Sequence, residues 1–290
     1  MNTRHDPFAA LRGRPFRKMH GLGNDFVVFD ARARALRLSP AQAAAVADRR
    51  CGVGCDQVIV VEPGDAETAA FMRIFNADGS EVSACGNATR CVARLLMEET
   101  GLGEATLRTR AGLIRAVAAD GGRITADMGP ARLKWDEIPL AETCDTLSLP
   151  ILMGALESPV AVSMGNPHAV FFVPEAEAVD LPTLGPAIEV HPLFPEKTNV
   201  EAVSVAGPNR LRMRVWERGV GITRACGTGA CAALVAAVRR GLVDRTAEVI
   251  LDGGSLTITW AENGHVLMTG PAALAFEGTI GDLSPADGPA

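Results

Sequence analysis

Short apolar runs alternate along the chain with polar, glycine-rich breaks. FVVFD (26–30), VIVVE (58–62) and FMRIF (71–75) are rich in β-branched and aromatic residues and lie between Gly, Asn or Pro, which predicts strands. Between the first two, SPAQAAAVADRR opens with Ser39 as an N-cap and Pro40 at the first helical position, predicting a helix that stops before Cys51 and Gly52. Val92, Leu95 and Leu96 mark the apolar face of a helix ending at Gly101. AVFFV (169–173) and LRMRVWE (211–217) predict further strands. Cys231, Leu234, Val235 and Val238, at i, i+3, i+4 and i+7, predict a helix closed by Gly241. Gly pairs at 121–122 and 253–254 predict hairpin turns. Strands outnumber helices and do not alternate with them, so the expected class is α+β.

The pattern occurs twice. MRIFNADGSEVSACG (72–86) aligns without gaps on MRVWERGVGITRACG (213–227), and GNDFVVF (23–29) aligns on GNPHAVF (165–171). From Asn24 to Cys85 is 61 residues and from Asn166 to Cys226 is 60. Two motifs in one order at one spacing predict a pair of similar, pseudo-symmetric lobes. The expected bounds are 1–132 and 133–275, with residues from about 276 to 290 a candidate to return to the first lobe. Residues 1–15 fall outside the pattern and read as a flexible, basic extension.

Cys85 and Cys226 each stand where a loop gives way to a helix. A helix N-terminus presents unpaired N–H groups and roughly half a positive charge. That field is expected to lower a thiol pKa and to hold a carboxylate. Gly86 and Gly227 follow the two thiols and let a ligand approach the backbone. Two thiols facing one carboxylate-bearing carbon would remove a proton from one face and return one to the other. Cys91 and Cys231 sit on apolar helix faces and read as core residues. Cys51, Cys55 and Cys144 read as structural or incidental. Asn24, Asn76, Asn166 and Asn199 end or follow strand-like runs, where Asn commonly forms turns. Glu217 and Arg218 in the bland case form an exposed ion pair. The same residues would suit a second amino-acid head group, and the exchange of Asn76 for Glu217 between the copies would let the remote end differ from the reacting end. His168 reads as a structural or supporting residue.

Composition narrows the chemistry. With 290 residues, 48% of them apolar, and a formal charge of −6, the chain has the composition of a globular protein without a nucleic-acid partner. No apolar run approaches the roughly 18 residues that span a bilayer, and the first 15 residues lack a secretory leader. Seven cysteines in a chain of this size point to reduced thiols in a cytoplasmic protein. There is no tyrosine, and Lys18, Lys134 and Lys197 are the only lysines, none in a phosphate-binding context, which disfavours pyridoxal phosphate. Cysteine and histidine spacings fit no metal site. GTGACA (227–232) is a lone dinucleotide-type match without a preceding strand. A redox couple of Cys85 and Cys226 is an alternative of a different class.

These residues resemble the diaminopimelate epimerase family. The stretches that carry the resemblance are KMHGLGNDFVVFD, GVGCDQ, FNADGSEVSACGNATRC, MGNPHAVFF, TNVE and WERGVGITRACGTGACA, in order from Lys18 to Ala232. The resemblance implies cofactor-independent interconversion of LL- and meso-2,6-diaminopimelate, with Cys85 and Cys226 as acid/base thiols and no metal. It implies that Gly86, Asn87, Gly227 and Thr228 hold the reacting carboxylate. Asn24, Gln57, Asn76, Asn166, Asn199, Glu217 and Arg218 would bind the rest of the substrate. The resemblance also implies two pseudo-symmetric lobes, each a β-rich module wrapped around a central helix, and the family is commonly homodimeric. Proline and hydroxyproline racemases share the two-thiol logic but lack the N-x-D-G-S run and the Glu217–Arg218 arrangement, and are the runner-up.

Overall fold

The computed structural model describes residues 8–283. In chain order the elements are β1 (Pro15–Gly21), β2 (Asn24–Asp30), α1 (Pro40–Ala47), β3 (Gln57–Pro63), β4 (Ala70–Asn76), β5 (Glu81–Val82), α2 (Gly86–Thr100), β6 (Glu104–Thr109), β7 (Gly112–Ala119) and β8 (Arg123–Pro130). There follow β9 (Leu152–Met153), β10 (Leu156–Glu157), β11 (Val160–Ser163), β12 (Pro167–Phe172), α3 (Leu181–Glu189), β13 (Asn199–Gly207), β14 (Arg210–Glu217) and β15 (Gly221–Ile222). The last are α4 (Gly227–Arg239), β16 (Thr246–Leu251), β17 (Gly254–Trp260), β18 (His265–Gly270) and β19 (Ala273–Thr279). Two compact units result, 8–124 with 271–283, and 125–270. These bounds differ by a few residues from 132/133 and 275/276, because β8 runs unbroken through 123–130 and continues from the first unit into the second. No helix among the described residues is long and apolar enough to cross a membrane.

In the first unit β1 pairs antiparallel with β2 and β19, β2 runs parallel to β3, and β3 pairs antiparallel with β4. β4 then pairs antiparallel with β5 and parallel with β6, which pairs antiparallel with β7. Successive residues of a strand face opposite sides. Phe26, Val28, Ile59 and Val61 join α2 in one cluster, while Val27, Phe29, Val58 and Val60 join Ala43 and Val46 of α1 in another. Burial on both faces explains the continuous apolar runs of β2 and β3. Ser39 caps α1 in a capping box with Gln42, and Gly101 ends α2 in the left-handed region at φ 72°. Residues 8–14 are not the loose extension the sequence suggested. Phe8 and Leu11, three apart, are buried in the α1 cluster, and Arg14 donates to the Arg34 and Ala35 carbonyls at 2.7 and 2.6 Å. Residues 1–7 and 284–290 lie outside the described residues.

The second unit has the same order of pairings: β11 antiparallel to β12, β12 parallel to β13, β13 antiparallel to β14. β14 again pairs antiparallel with a two-residue strand, β15, and parallel with β16, which forms a hairpin with β17. The registers correspond too: Phe26 faces Gln57 across β2 and β3, and His168 faces Asn199 across β12 and β13. Helix α4 is nearly all alanine and aliphatic, and Ala230 through Ala237 are fully buried, so it is the central helix of this unit. On the other face, Leu181 and Ile188 of α3 pack with Phe171, Val200 and Ala202. The sequence LPTLGPAIE hides α3, since Pro and Gly argue against a helix. Pro182 sits in the first turn and Gly185 is required by packing, because a Cβ there would come within 2.6 Å of Trp216.

Candidate active site

In the first unit, Cys85 is the N-cap residue of α2 and is partly exposed. The β1–β2 hairpin turns through Leu22 and Gly23, both at positive φ (58° and 82°), and so delivers Asn24 beside it. Cys85 Sγ donates to Asn24 Oδ1 at 3.9 Å, and Asn87 Nδ2 donates to the same oxygen at 3.2 Å. Gln57 and Asn76 face each other across β3 and β4, and Gln57 Nε2 donates to Asn76 Oδ1 at 3.0 Å. Gln57 Oε1 is buried without a hydrogen-bond partner among the described residues.

In the second unit Cys226 is the N-cap of α4, only 5% exposed, and its sulfur accepts from Gly229 N–H at 3.4 Å. Thr228 Oγ1 lies 3.6 Å from that sulfur and accepts from Asn166 Nδ2 at 3.4 Å. Asn166 Oδ1 is 3.1 Å from His168 Nε2, and His168 Nδ1 is 2.6 Å from Glu201 Oε1. Helix α4 approaches this pair closely, since a Cβ on Gly229 would come within 2.9 Å of Glu201 Oε1. Glu217, at the end of β14, accepts a hydrogen bond from the Thr223 hydroxyl. Trp216 Nε1 and Gly219 N both donate to Glu189, at 2.8 and 3.1 Å, which fixes the loop around Glu217. Asn199 donates to the Pro167 carbonyl at 2.8 Å and accepts from the Arg218 N–H at 2.9 Å, while the Arg218 guanidinium donates to the Glu196 carbonyl at 2.8 Å.

The expectation that the helix end depresses the thiol pKa fails at Cys226. The Gly229 N–H and the Thr228 hydroxyl do act downward. Burial outweighs them, the Glu217 and Glu201 carboxylates add to it, and the thiol is held well above its ordinary value. Loss of water also raises the Glu217 carboxyl, against the pull of its bond to Thr223. Glu217 is therefore not half of an exposed ion pair with Arg218. Burial pushes Cys55 and Cys91 up to about 12, in keeping with core residues. Among the described residues no group of three or more His, Cys, Asp and Glu side chains is arranged to hold a metal.

The model of the diaminopimelate epimerase family matches residues 16–134 and 160–275. The chain belongs to this family. It is 58% identical over 267 residues to the diaminopimelate epimerase of Acidiphilium cryptum, covering 92% of this chain and 96% of the relative. It is also 58% identical over 270 residues to that of Rhodospirillum centenum, with 93% of each covered. Among solved structures, a phenazine biosynthesis protein of Bacillus anthracis superposes with a TM-score of 0.64 at 17% identity, covering 93% of this chain and 99% of the other. A hydroxyproline epimerase of Agrobacterium vitis, solved with bound trans-4-hydroxy-L-proline, does so with 0.62 at 19% identity, covering 93% and 91%. These distant likenesses bear on the fold alone, and they agree with the expected α+β class.

Two features of the site escaped the reading of the sequence. Glu201 interrupts the apolar run VEAVSV at a position whose counterpart in the first unit is Ile59, and a charge there was the available signal. Asp56, which accepts from Asn24 Nδ2 at 2.9 Å, gave no signal beyond its place in GVGCDQ.

Proposed function

We propose that the protein interconverts LL- and meso-2,6-diaminopimelate without an organic cofactor or metal, using Cys85 and Cys226 on the two faces of one α-carbon. The observation that carries this reading is the equivalence of the two thiols: each is the N-cap of its unit's central helix, 61 or 60 residues after an equivalent asparagine. One sulfur, as thiolate, takes the α-proton: the C–H bond breaks, an S–H bond forms, and the electron pair passes into the adjoining carboxylate. N–H groups of the first turns, at Gly86, Asn87, Gly227 and Thr228, stabilise that developing charge. The other sulfur gives its proton to the opposite face of the carbon. One turnover leaves the two sulfurs with exchanged protonation states, so the reverse reaction uses them in exchanged roles.

The remaining head group would be bound by Asn24, Gln57, Asn76, Asn166, Asn199, Glu217 and Arg218. The buried, unpartnered Gln57 Oε1 suits an ammonium donor, and a carboxyl at Glu217 where the first unit has Asn76 makes the two ends chemically distinct. The proposal includes a cytoplasmic location, on the cysteine content, an absence of nucleic-acid partners, on the charge of −6, and assembly as a homodimer, on the family. A test uses reduced, chelator-treated protein with LL-diaminopimelate, no added pyridoxal phosphate, and chiral chromatography of the product. Meso product is expected, and trans-4-hydroxy-L-proline is expected to stay unchanged. Turnover of hydroxyproline alone would move the protein to the racemase branch. Turnover of neither would overturn the enzymatic reading and leave the redox couple.

A further inference from the structure

The hydrogen bonds around Cys85 run in one direction, and the two ends of the chain of bonds dictate that direction. At one end Asp56 Oδ2 is 2.9 Å from the Asn24 side chain. A carboxylate can only accept, so the Asn24 NH2 group must face it. At the other end Arg90, 0% exposed, approaches the Asn87 side chain at 2.8 Å. A guanidinium can only donate, so the Asn87 oxygen must face it, which turns the Asn87 NH2 toward Asn24. Both constraints leave the Asn24 oxygen pointing to Asn87 Nδ2, at 3.2 Å, and to Cys85 Sγ, at 3.9 Å. Arg90 is itself fixed by a bond to the Pro271 carbonyl at 3.3 Å, and Asp56 by Arg49 at 2.8 Å and by the Asp25 N–H at 3.1 Å.

We infer that Asp56 and Arg90 are positioning residues that lock the Asn24 amide so that it offers Cys85 an acceptor, which holds the sulfur of the unliganded site as S–H. A thiolate would meet the amide oxygen with like polarity, and inverting the amide would turn its oxygen on Asp56. This rests on the acid/base role proposed above for Cys85 and deepens it: in the unliganded site this sulfur carries its proton, and it takes up the thiolate role only once the substrate is bound. The other ionisable groups tied to this network are Lys18, Asp25 and Arg49 on the strand side, and Cys91 and Arg94 further along α2. The second unit lacks the device, since Asn166 has His168 and Thr228 as its neighbours instead.

The test reads the pH midpoint of Cys85 alkylation by iodoacetamide in the full-length protein, by mass spectrometry of the Cys85 peptide, without substrate. Asn24→Ala removes no charge and lies at a partly exposed position. Losing an acceptor lowers the midpoint by about half a unit, a roughly threefold faster reaction at neutral pH. A rise would mean that the amide had faced the sulfur with its NH2 group; that result, or no change, overturns the inference. The cause is tested by Asp56→Asn and Asn87→Ala, alone and together, since either end by itself still fixes the amide. The double variant is expected to lower the midpoint by more than the two single shifts combined, and strict additivity overturns the assignment of the two ends. Because the readout needs no turnover, an inactive protein with the expected thiol titration would count against the epimerase reading and not against the lock.

Discussion

His168 Nδ1 lies 2.6 Å from Glu201 Oε1 with neither side chain exposed to solvent, at positions that Phe26 and Ile59 fill in the first unit. The central helix of one unit thus packs on an aromatic and an aliphatic residue, and that of the other on a buried polar pair. Glu201 Oε2 has no hydrogen-bond partner among the described residues, so half of that carboxyl's desolvation is uncompensated. Breaking the pair from one side is expected to destabilise by about 3–5 kcal/mol, while replacing both members by apolar residues is often neutral. Glu201→Ile alone should therefore lower the unfolding midpoint in urea, and adding His168→Phe should restore most of it. Equal, additive losses would show that the pair is not coupled.

Replacing either Cys85 or Cys226 by serine should reduce epimerisation by about two to four orders of magnitude, the usual weight of a positioned acid or base. Circular dichroism should stay unchanged, since a serine fits either N-cap. Near-full activity in one variant would remove that sulfur from the proton path.

Among the described residues, Arg218 is held at its backbone by Asn199 and at its guanidinium by a single carbonyl, that of Glu196, at 2.8 Å. A guanidinium so lightly held is available to a substrate carboxylate. Arg218→Ala should raise KM for diaminopimelate about tenfold or more with a smaller change in kcat, as loss of a charge-assisted bond implies. An unchanged KM would place Arg218 outside the site.

The buried thiols give a pH dependence of stability. Cys55 and Cys91 titrate near 12 in the folded chain, above the ordinary 9.0. Below pH 9 both states hold these protons and stability is full; as pH rises from 9 through 12 the unfolded chain ionises first and stability falls. The chain has no tyrosine to add to this titration. Tm is expected to hold up to about pH 9 and to drop as the pH rises from there toward about 12, with a shallower slope in the Cys55→Ala, Cys91→Ala double variant. An identical slope in the variant would assign the loss to other groups.

Much of this was legible in the sequence, for identifiable reasons. The runs that became β2, β3 and β4, and the capping signals of α1, are local features that tertiary packing did not override. The duplicated motifs also located both helix starts and both thiols. What escaped lies in contacts between distant segments. Helix α3 carries Pro186 and Gly185 inside it and is anchored by Leu181 and Ile188 in a buried cluster, with Gly185 leaving room for Trp216, and residues 8–14 are ordered by packing against α1. The direction of the Cys226 shift followed from burial and from Glu201, neither of which spacing along the chain can convey.

The most direct test of the central claim is proton exchange at the substrate carbon. Reduced protein is incubated with LL-diaminopimelate in heavy water, and the meso product is isolated and examined by mass spectrometry and proton resonance. Inversion by two sulfurs predicts a single deuterium in the meso product, at the inverted α-carbon, because the returning proton comes from the thiol that has exchanged with solvent. Meso product that retains its original α-hydrogen, or no meso product at all, would contradict it.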